Sequence, residues 1–419
     1  MGNNNKINEF AVFSAISFLL LFCQFSFGQS VNDTTKTCEV KSLPEFFKKE
    51  DSIFVVKPLK NDFLLVLPVI SVQPANGFIY GAISQYTFKD KHPDDKYSTA
   101  YIMATYTTKK QLLIDVKNNL ILHHNKLYMG GDWRYYKFSQ ENYGLGSDIL
   151  PPVGTDFSTN SIEQPMKYDY LKFHQTASIL VADDLFVGGG IHFDGYMNIN
   201  DQLLNVQNNQ LTYHYEYNTL HGFSTKKYFV KGISANIIYD SRDNLVNPNH
   251  GWFANFNYRT NLGIQKNGSP SSVLFTELKY YIPLSKTNKQ HVLAFWSYNQ
   301  FLTKGRLPYL NLPAIGWDQQ SRSGKGYTQG LLRGQDLCYF ETEYRFPITC
   351  NQLLSGTVFA NFTTTSDRDR DIQVLEYIQP AFGVGLRLLI DKATRTNVIA
   401  SYGWGSHAQS FYINTGESF

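Results

Sequence analysis

The sequence predicts an all-β protein, a 16-stranded antiparallel transmembrane β-barrel. Three observations predict it. Charged residues make up 17% of the 419-residue chain, against roughly 25% in an ordinary globular protein, while Phe (31) and Tyr (28) are abundant. Apolar and polar residues alternate with a period of two, in segment after segment of about ten residues. The connections between these segments alternate between long and short. Strands with hydrocarbon on one face and an aqueous lumen on the other require that composition and that alternation.

The chain opens with a targeting pattern. Lys6 supplies a positive charge, Phe10 to Phe25 is largely apolar, and Ser26 and Gly28 are small residues placed for cleavage before Gln29. Residues 1–28 therefore read as a signal peptide. Cys23 follows Phe22 rather than a small residue, which argues against lipidation. Residues 29–60 read as a short periplasmic leader, with a helical turn near Pro44 to Lys49, and are too few to bury a core of their own. Beyond residue 30 no apolar run is long enough for a membrane-spanning helix; the best, Phe63 to Val72, contains Pro68.

Residues 61–419 carry the barrel. Strands are expected near 64–72, 77–89, 97–107, 111–122, 126–138, 166–181, 186–198, 229–241, 251–263, 270–283, 290–302, 336–349, 354–365, 377–390, 395–405 and 410–419. The segment Tyr339 to Ile348 shows the logic. Phe340, Thr342, Tyr344 and Phe346 share one face, and Glu341, Glu343 and Arg345 share the other. Trp252, Ala254, Phe256 and Tyr258 likewise oppose Asn255, Asn257 and Arg259. The long connections (139–165, 199–228, 303–335) and the medium one (366–376) all follow odd-numbered strands, and those after even strands are mostly short. Outer-membrane barrels are built with that asymmetry, and the parity puts both termini in the periplasm. A soluble β-sandwich predicts no such rule.

Several motifs go further. Asp240-Ser-Arg242-Asp243-Asn244 closes one strand, and Pro248 and Gly251 punctuate the turn to the next. Leu331-Leu332-Arg333-Gly334-Gln335 ends the longest loop and Glu341-Thr-Glu343-Tyr-Arg345-Phe-Pro347 follows it. Gly383-Val-Gly385-Leu-Arg387 lies in a later strand, and the sequence ends Gly416-Glu-Ser-Phe419. In this order and spacing they resemble the BamA/TamA superfamily of bacterial surface antigen barrels, and the resemblance spans the whole mature barrel. It implies a member lacking POTRA domains, with the 303–335 loop folded back into the lumen. It implies that Arg333, beside Gly334, is held by two strand carboxylates. Here Glu343 supplies one, Asn361 stands where the other is expected, and Glu341 is a substitute. It also implies that the ending with Phe419 resembles the sorting signal read by the barrel-assembly machinery.

The function implied is outer-membrane protein assembly or translocation without POTRA domains of its own. Pro68 cannot donate a ladder hydrogen bond, and Gly416 in the last strand also weakens pairing. These residues fit a seam that opens between the first and last strands, and fit equally a bulge in a closed wall. A passive porin-like channel or a structural outer-membrane protein is the alternative. The expected partners are outer-membrane lipids and lipopolysaccharide, the assembly machinery, and client polypeptides or periplasmic proteins. The net charge of +3 gives no case for nucleic acid. There is no nucleophile elbow, no metal-spaced His cluster and no phosphate loop, so neither enzyme chemistry nor a cofactor or metal is expected. His123 and His124 fall in a short turn; His174, His192, His214 and His221 have no evident partners in the sequence. Cys38, Cys338 and Cys350 are an odd set with no disulfide framework, and Cys338 and Cys350 sit too far apart to pair.

Overall fold

The computed structural model describes residues 38–46, 62–73, 77–90, 92, 94–148, 163–263, 270–286, 288–406, 408–415 and 419. The signal-peptide segment and Gly416 lie outside them. A short helix α1 (Leu43–Phe46) precedes the sheet, overlapping the helical turn expected near Pro44 to Lys49, whose last three residues lie outside the described ones. The strands are β1 (Asp62–Gln73), β2 (Gly77–Phe88), β3 (Ser98–Thr107), β4 (Leu112–Leu122), β5 (Leu127–Asn142), β6 (Gln164–Ala182), β7 (Leu185–Asp201) and β8 (Tyr228–Asp240). They continue as β9 (Gly251–Leu262), β10 (Ser271–Pro283), β11 (Val292–Lys304), β12 (Asp336–Pro347), β13 (Leu354–Thr365), β14 (Gln379–Asp391), β15 (Thr396–Gly405) and β16 (Ala408–Thr415). All sixteen form one sheet in sequence order, each antiparallel to the next. Every strand expected from the sequence is present. A second helix, α2 (Tyr213–Leu220), was not expected: it stands in the β7–β8 loop, where no long apolar period marks it.

Alternation decides which face each side chain takes. Along β8, Tyr228, Val230, Asn236, Ile238 and Asp240 are buried, while Phe229, Ile233, Ile237 and Tyr239 point outward. On β16 the outward residues are Phe411 and Ile413, 58% and 59% exposed. With Leu64, Val66, Ile102, Ile191, Phe256 and Phe382 they form an outer apolar surface. Only hydrocarbon covers such a surface without a second sheet. Inside, charged and amide side chains are buried in pairs. Contacts join strands far apart in the sheet: Ser147 donates to Thr365 O at 3.2 Å, and Arg345 to Pro248 O at 3.3 Å. The sheet therefore curls around a lumen. Among the described residues no ladder joins β1 to β16.

Lys41 and Glu45 meet the barrel at its short-turn end. Lys41 N donates to Asn351 O at 3.0 Å, and Lys392 pairs with Glu45 at 2.9 Å. Cys38 and Cys350 are each in a disulfide and Cys338 is a free thiol. This corrects the reading that the cysteines carry no disulfide. An odd count hides a bridge when one member stays reduced.

Candidate functional site

The lumen is filled by the β11–β12 loop. Its path depends on glycine. Gly326 has φ +99°, and a Cβ added there would lie 2.7 Å from Ala381 Cβ and 3.1 Å from Gly405 N. The loop backbone thus lies directly against β14 and β15, a close approach that only glycine permits. Asp318 shapes the turn by accepting from Arg322 N and Ser323 N, at 3.0 and 2.8 Å. Ile315, Leu331 and Leu332 are fully buried.

Two charged anchors hold the loop to opposite walls. At the tip, Lys325 Nζ lies 2.5 Å from Glu341 and 3.3 Å from Glu343, which side by side on β12 are almost wholly buried. Arg345 completes the group, with Nε 2.7 Å from Glu343. Two cations thus face two carboxylates. Asn361 Nδ2 donates to Lys325 O at 3.0 Å. On the other wall, Arg134 makes a bidentate pair with Asp132 at 2.8 and 2.9 Å, and its Nη2 donates to Asp318 O at 2.7 Å. Trp317 packs among Tyr136, Phe138 and Tyr170.

The expected latch is corrected here. Arg333 is buried but does not touch Glu343 or Glu341. Its Nη1 donates to the carbonyls of Tyr309, Leu310 and Leu312 at 3.2–3.3 Å, and its guanidinium stacks over Tyr309. Gly334 N donates to Pro313 O. Arg333 therefore braces the base of the loop, and Lys325 binds the carboxylates. The reason is reach. β12 begins at Asp336, and Glu341 lies five residues along it, about 17 Å at 3.3 Å per residue. A side chain beside the strand's start cannot span that distance. The only signal in the sequence was Gly324-Lys325-Gly326, a lone cation between two glycines. Glu341 therefore does not substitute as a partner of Arg333; it pairs with Lys325 instead. The Asn361 side-chain amide donates to the Lys325 backbone carbonyl rather than meeting the arginine.

The β8–β9 turn, residues 241–250, crosses the opposite end of the lumen. Arg242 makes a bidentate pair with Asp240 at 2.8 and 2.7 Å and lies over Phe253. Asn244 accepts from Val246 N and Asn247 N. Pro248 O receives Arg345, Asn247 receives Arg387, and Arg395 pairs with Asp243 at 2.5 Å. The turn thus ties β8 to β12, β14 and the β14–β15 connection. Gly251 has φ +109°, and a Cβ there would lie 2.4 Å from Ser241 O. Gly251→Ala is expected to lower stability by about 1–3 kcal/mol. Thermal melting in detergent reads this, and an unchanged midpoint would refute it.

Burial raises the Asp243 carboxyl, but the Arg395 pair and the amides of Asn249 and His250 outweigh it and hold the group below its ordinary value of 3.8. A depressed carboxyl contributes stability above its unfolded value and loses it as pH falls through the folded one. Asp243→Asn should therefore lower the melting temperature at neutral pH, with the gap from wild type closing in acid. A gap independent of pH would exclude this.

Of the remaining expected site residues, Pro68 sits in β1 opposite Ala82. Phe419 is buried in the lumen, stacked on Trp296 at 5.3 Å. The histidines do have partners: His174 pairs with Asp194 and His214 with Asp201, each at 2.9 Å. His123 and His124 lie in the β4–β5 turn with positive φ. A cavity of about 370 Å³ remains between the loop and the β5–β11 wall. In its lining Lys172 pairs with Asp132, Arg259 with Asp194 and Lys279 with Glu277. Among the described residues, one group, Asp90, Asp95 and His124, brings potential ligand atoms within 4.8 Å of one another; His124 there is largely exposed.

The family model of the Omp85 superfamily domain matches residues 84–419. None of the curated proteins compared matches the chain. Among solved structures, BamA from Haemophilus ducreyi lacking POTRA domains 1–3 is similar, with a TM-score of 0.52 and 12% identity over 85% of this chain and 70% of that one. CdiB from Acinetobacter baumannii has a TM-score of 0.49 and 13% identity, over 85% of this chain and 60% of its own. At such identities the likeness is one of fold.

Proposed function

Because the chain belongs to the Omp85 superfamily, we propose that it is an outer-membrane assembly or translocation barrel that admits a polypeptide strand between β1 and β16. One observation carries the reading. Fifteen consecutive strand pairs form the sheet, yet among the described residues the first and last strands share no ladder. An unpaired strand edge offers its backbone groups to an incoming chain, which is strand addition. Pro68 favours this by removing a donor from β1. The short turns, with Lys41 and Glu45 beside them, face the periplasm, and periplasmic proteins are the expected partners. The Lys325 and Arg134 anchors keep the lumen blocked while the edge is engaged. That blockage disfavours the porin-like alternative.

The test joins the two edges. In a Cys338→Ser background, Val66→Cys and Phe411→Cys on the outer face would be bridged with a cleavable bis-maleimide. The bridged protein should keep its folded, heat-modifiable gel band. It should no longer speed insertion of a urea-unfolded eight-stranded barrel into liposomes, and cleaving the bridge should restore this. Full activity with the bridge intact would overturn the reading.

A further inference from the structure

Phe419 occupies a place in the lumen that is built without it. Its ring stacks on Trp296, with an interplanar angle of 22°, and is tilted against Tyr281 at 6.2 Å. Two cations flank the ring: Lys325 Nζ at 5.8 Å and the Arg345 guanidinium at 5.7 Å from its centroid. Arg345 Nη2 also donates to Phe419 O at 3.4 Å. The walls are fixed by other contacts. Trp296 Nε1 donates to Glu277 at 3.0 Å, Lys325 rests on Glu341 and Glu343, and Arg345 is held by Glu343 and Pro248 O. None of these bonds involves Phe419. The pocket opens on the lumen cavity, which both Trp296 and Phe419 line.

The geometry points to a preformed lumenal binding site for an aromatic side chain of an extended polypeptide, filled at rest by Phe419 of this chain. The choice of ligand follows from the walls. Trp296 presents an aromatic plate, and Lys325 and Arg345, each resting on a buried carboxylate, present cation faces. Such walls favour an aromatic ring. Because the walls are already ordered, binding spends little on arranging them. Phe419 follows β16, one edge of the proposed seam. The site rests on the assembly reading for its occupant, but not for its existence.

The test uses the full mature chain in detergent micelles and two fluorescein-labelled eight-residue Ser/Thr peptides, one with a central Phe and one with Ala there. In fluorescence anisotropy, Phe419→Ala should bind the Phe peptide at least about tenfold more tightly than the wild type does, and more tightly than it binds the Ala peptide. Adding Trp296→Leu should abolish that preference. Equal affinities of wild type and Phe419→Ala, or of the two peptides, would overturn the proposal. If Phe419→Ala lacks the folded gel band, Phe419→Leu, which keeps the apolar volume but not the ring, takes its place with the same expectations. A negative peptide result leaves the seam untouched, and an active bridged barrel leaves this pocket untouched, so the two failures are distinguishable.

Discussion

Lys325→Met should release the tip of the lumenal loop and destabilise the barrel by about 3–5 kcal/mol, the usual effect of removing one partner from a buried charge group. Methionine keeps the length of the side chain but leaves Glu341 and Glu343 with Arg345 as their remaining cation in the group described. Both carboxylates are almost wholly buried, at 0% and 1% exposure, so little water can replace the lost ammonium. The expected readings are a lower melting temperature and new protease cuts within 303–335 in intact cells. Adding Glu341→Gln should recover part of the loss, because it removes the charge left unpaired. Arg333→Ala should have a smaller effect, about 1–3 kcal/mol, since the guanidinium bonds to neutral carbonyls. Should Lys325→Met prove as stable and as protease-resistant as the wild type, the tip latch is wrong.

Arg134→Met is expected to free the other side of the loop. Arg134 is 2% exposed and links the β5 wall to the loop through Asp132 and Asp318 O. Its loss strands less charge than that of Lys325, because Asp132 keeps Lys172 at 2.6 Å. A loss of about 3 kcal/mol, at the low end for a buried pair, is expected. The functional reading is conductance across a planar bilayer. Either single variant leaves one anchor and should show brief openings, while Lys325→Met with Arg134→Met should show long, large ones. The two share one loop, so their effects should not add. A double variant as closed as the wild type would mean that apolar packing around Ile315, Trp317 and Leu332 holds the loop, and that the charges are incidental.

The strands were legible in the sequence because period-two alternation is local: each residue reports its own face. Glu341, Glu343 and Arg345 were assigned to the lumen on that ground, and all three are buried there. Loop parity was legible as well, because it is a matter of length alone. Helix α2 was not, since it is short and packs its few buried residues, such as His214 and Tyr217, against the loops around it. The partners of His174 and His214 were hidden because they come from neighbouring elements.

What the sequence determined by itself is the sixteen-strand order, the inward and outward faces, and the presence of a long loop over a polar lumen. All of this follows from alternation and length, which need no knowledge of how the sheet curls. Which cation meets Glu341 and Glu343 was decided only by the tertiary structure. So were the reach of the 241–250 turn across the lumen and the burial of Phe419. These contacts join segments far apart in the chain, and they exist only once the sheet has curled and set their depth. Arg333 and Lys325 are eight residues apart; the curvature of the wall and the path of the loop choose between them.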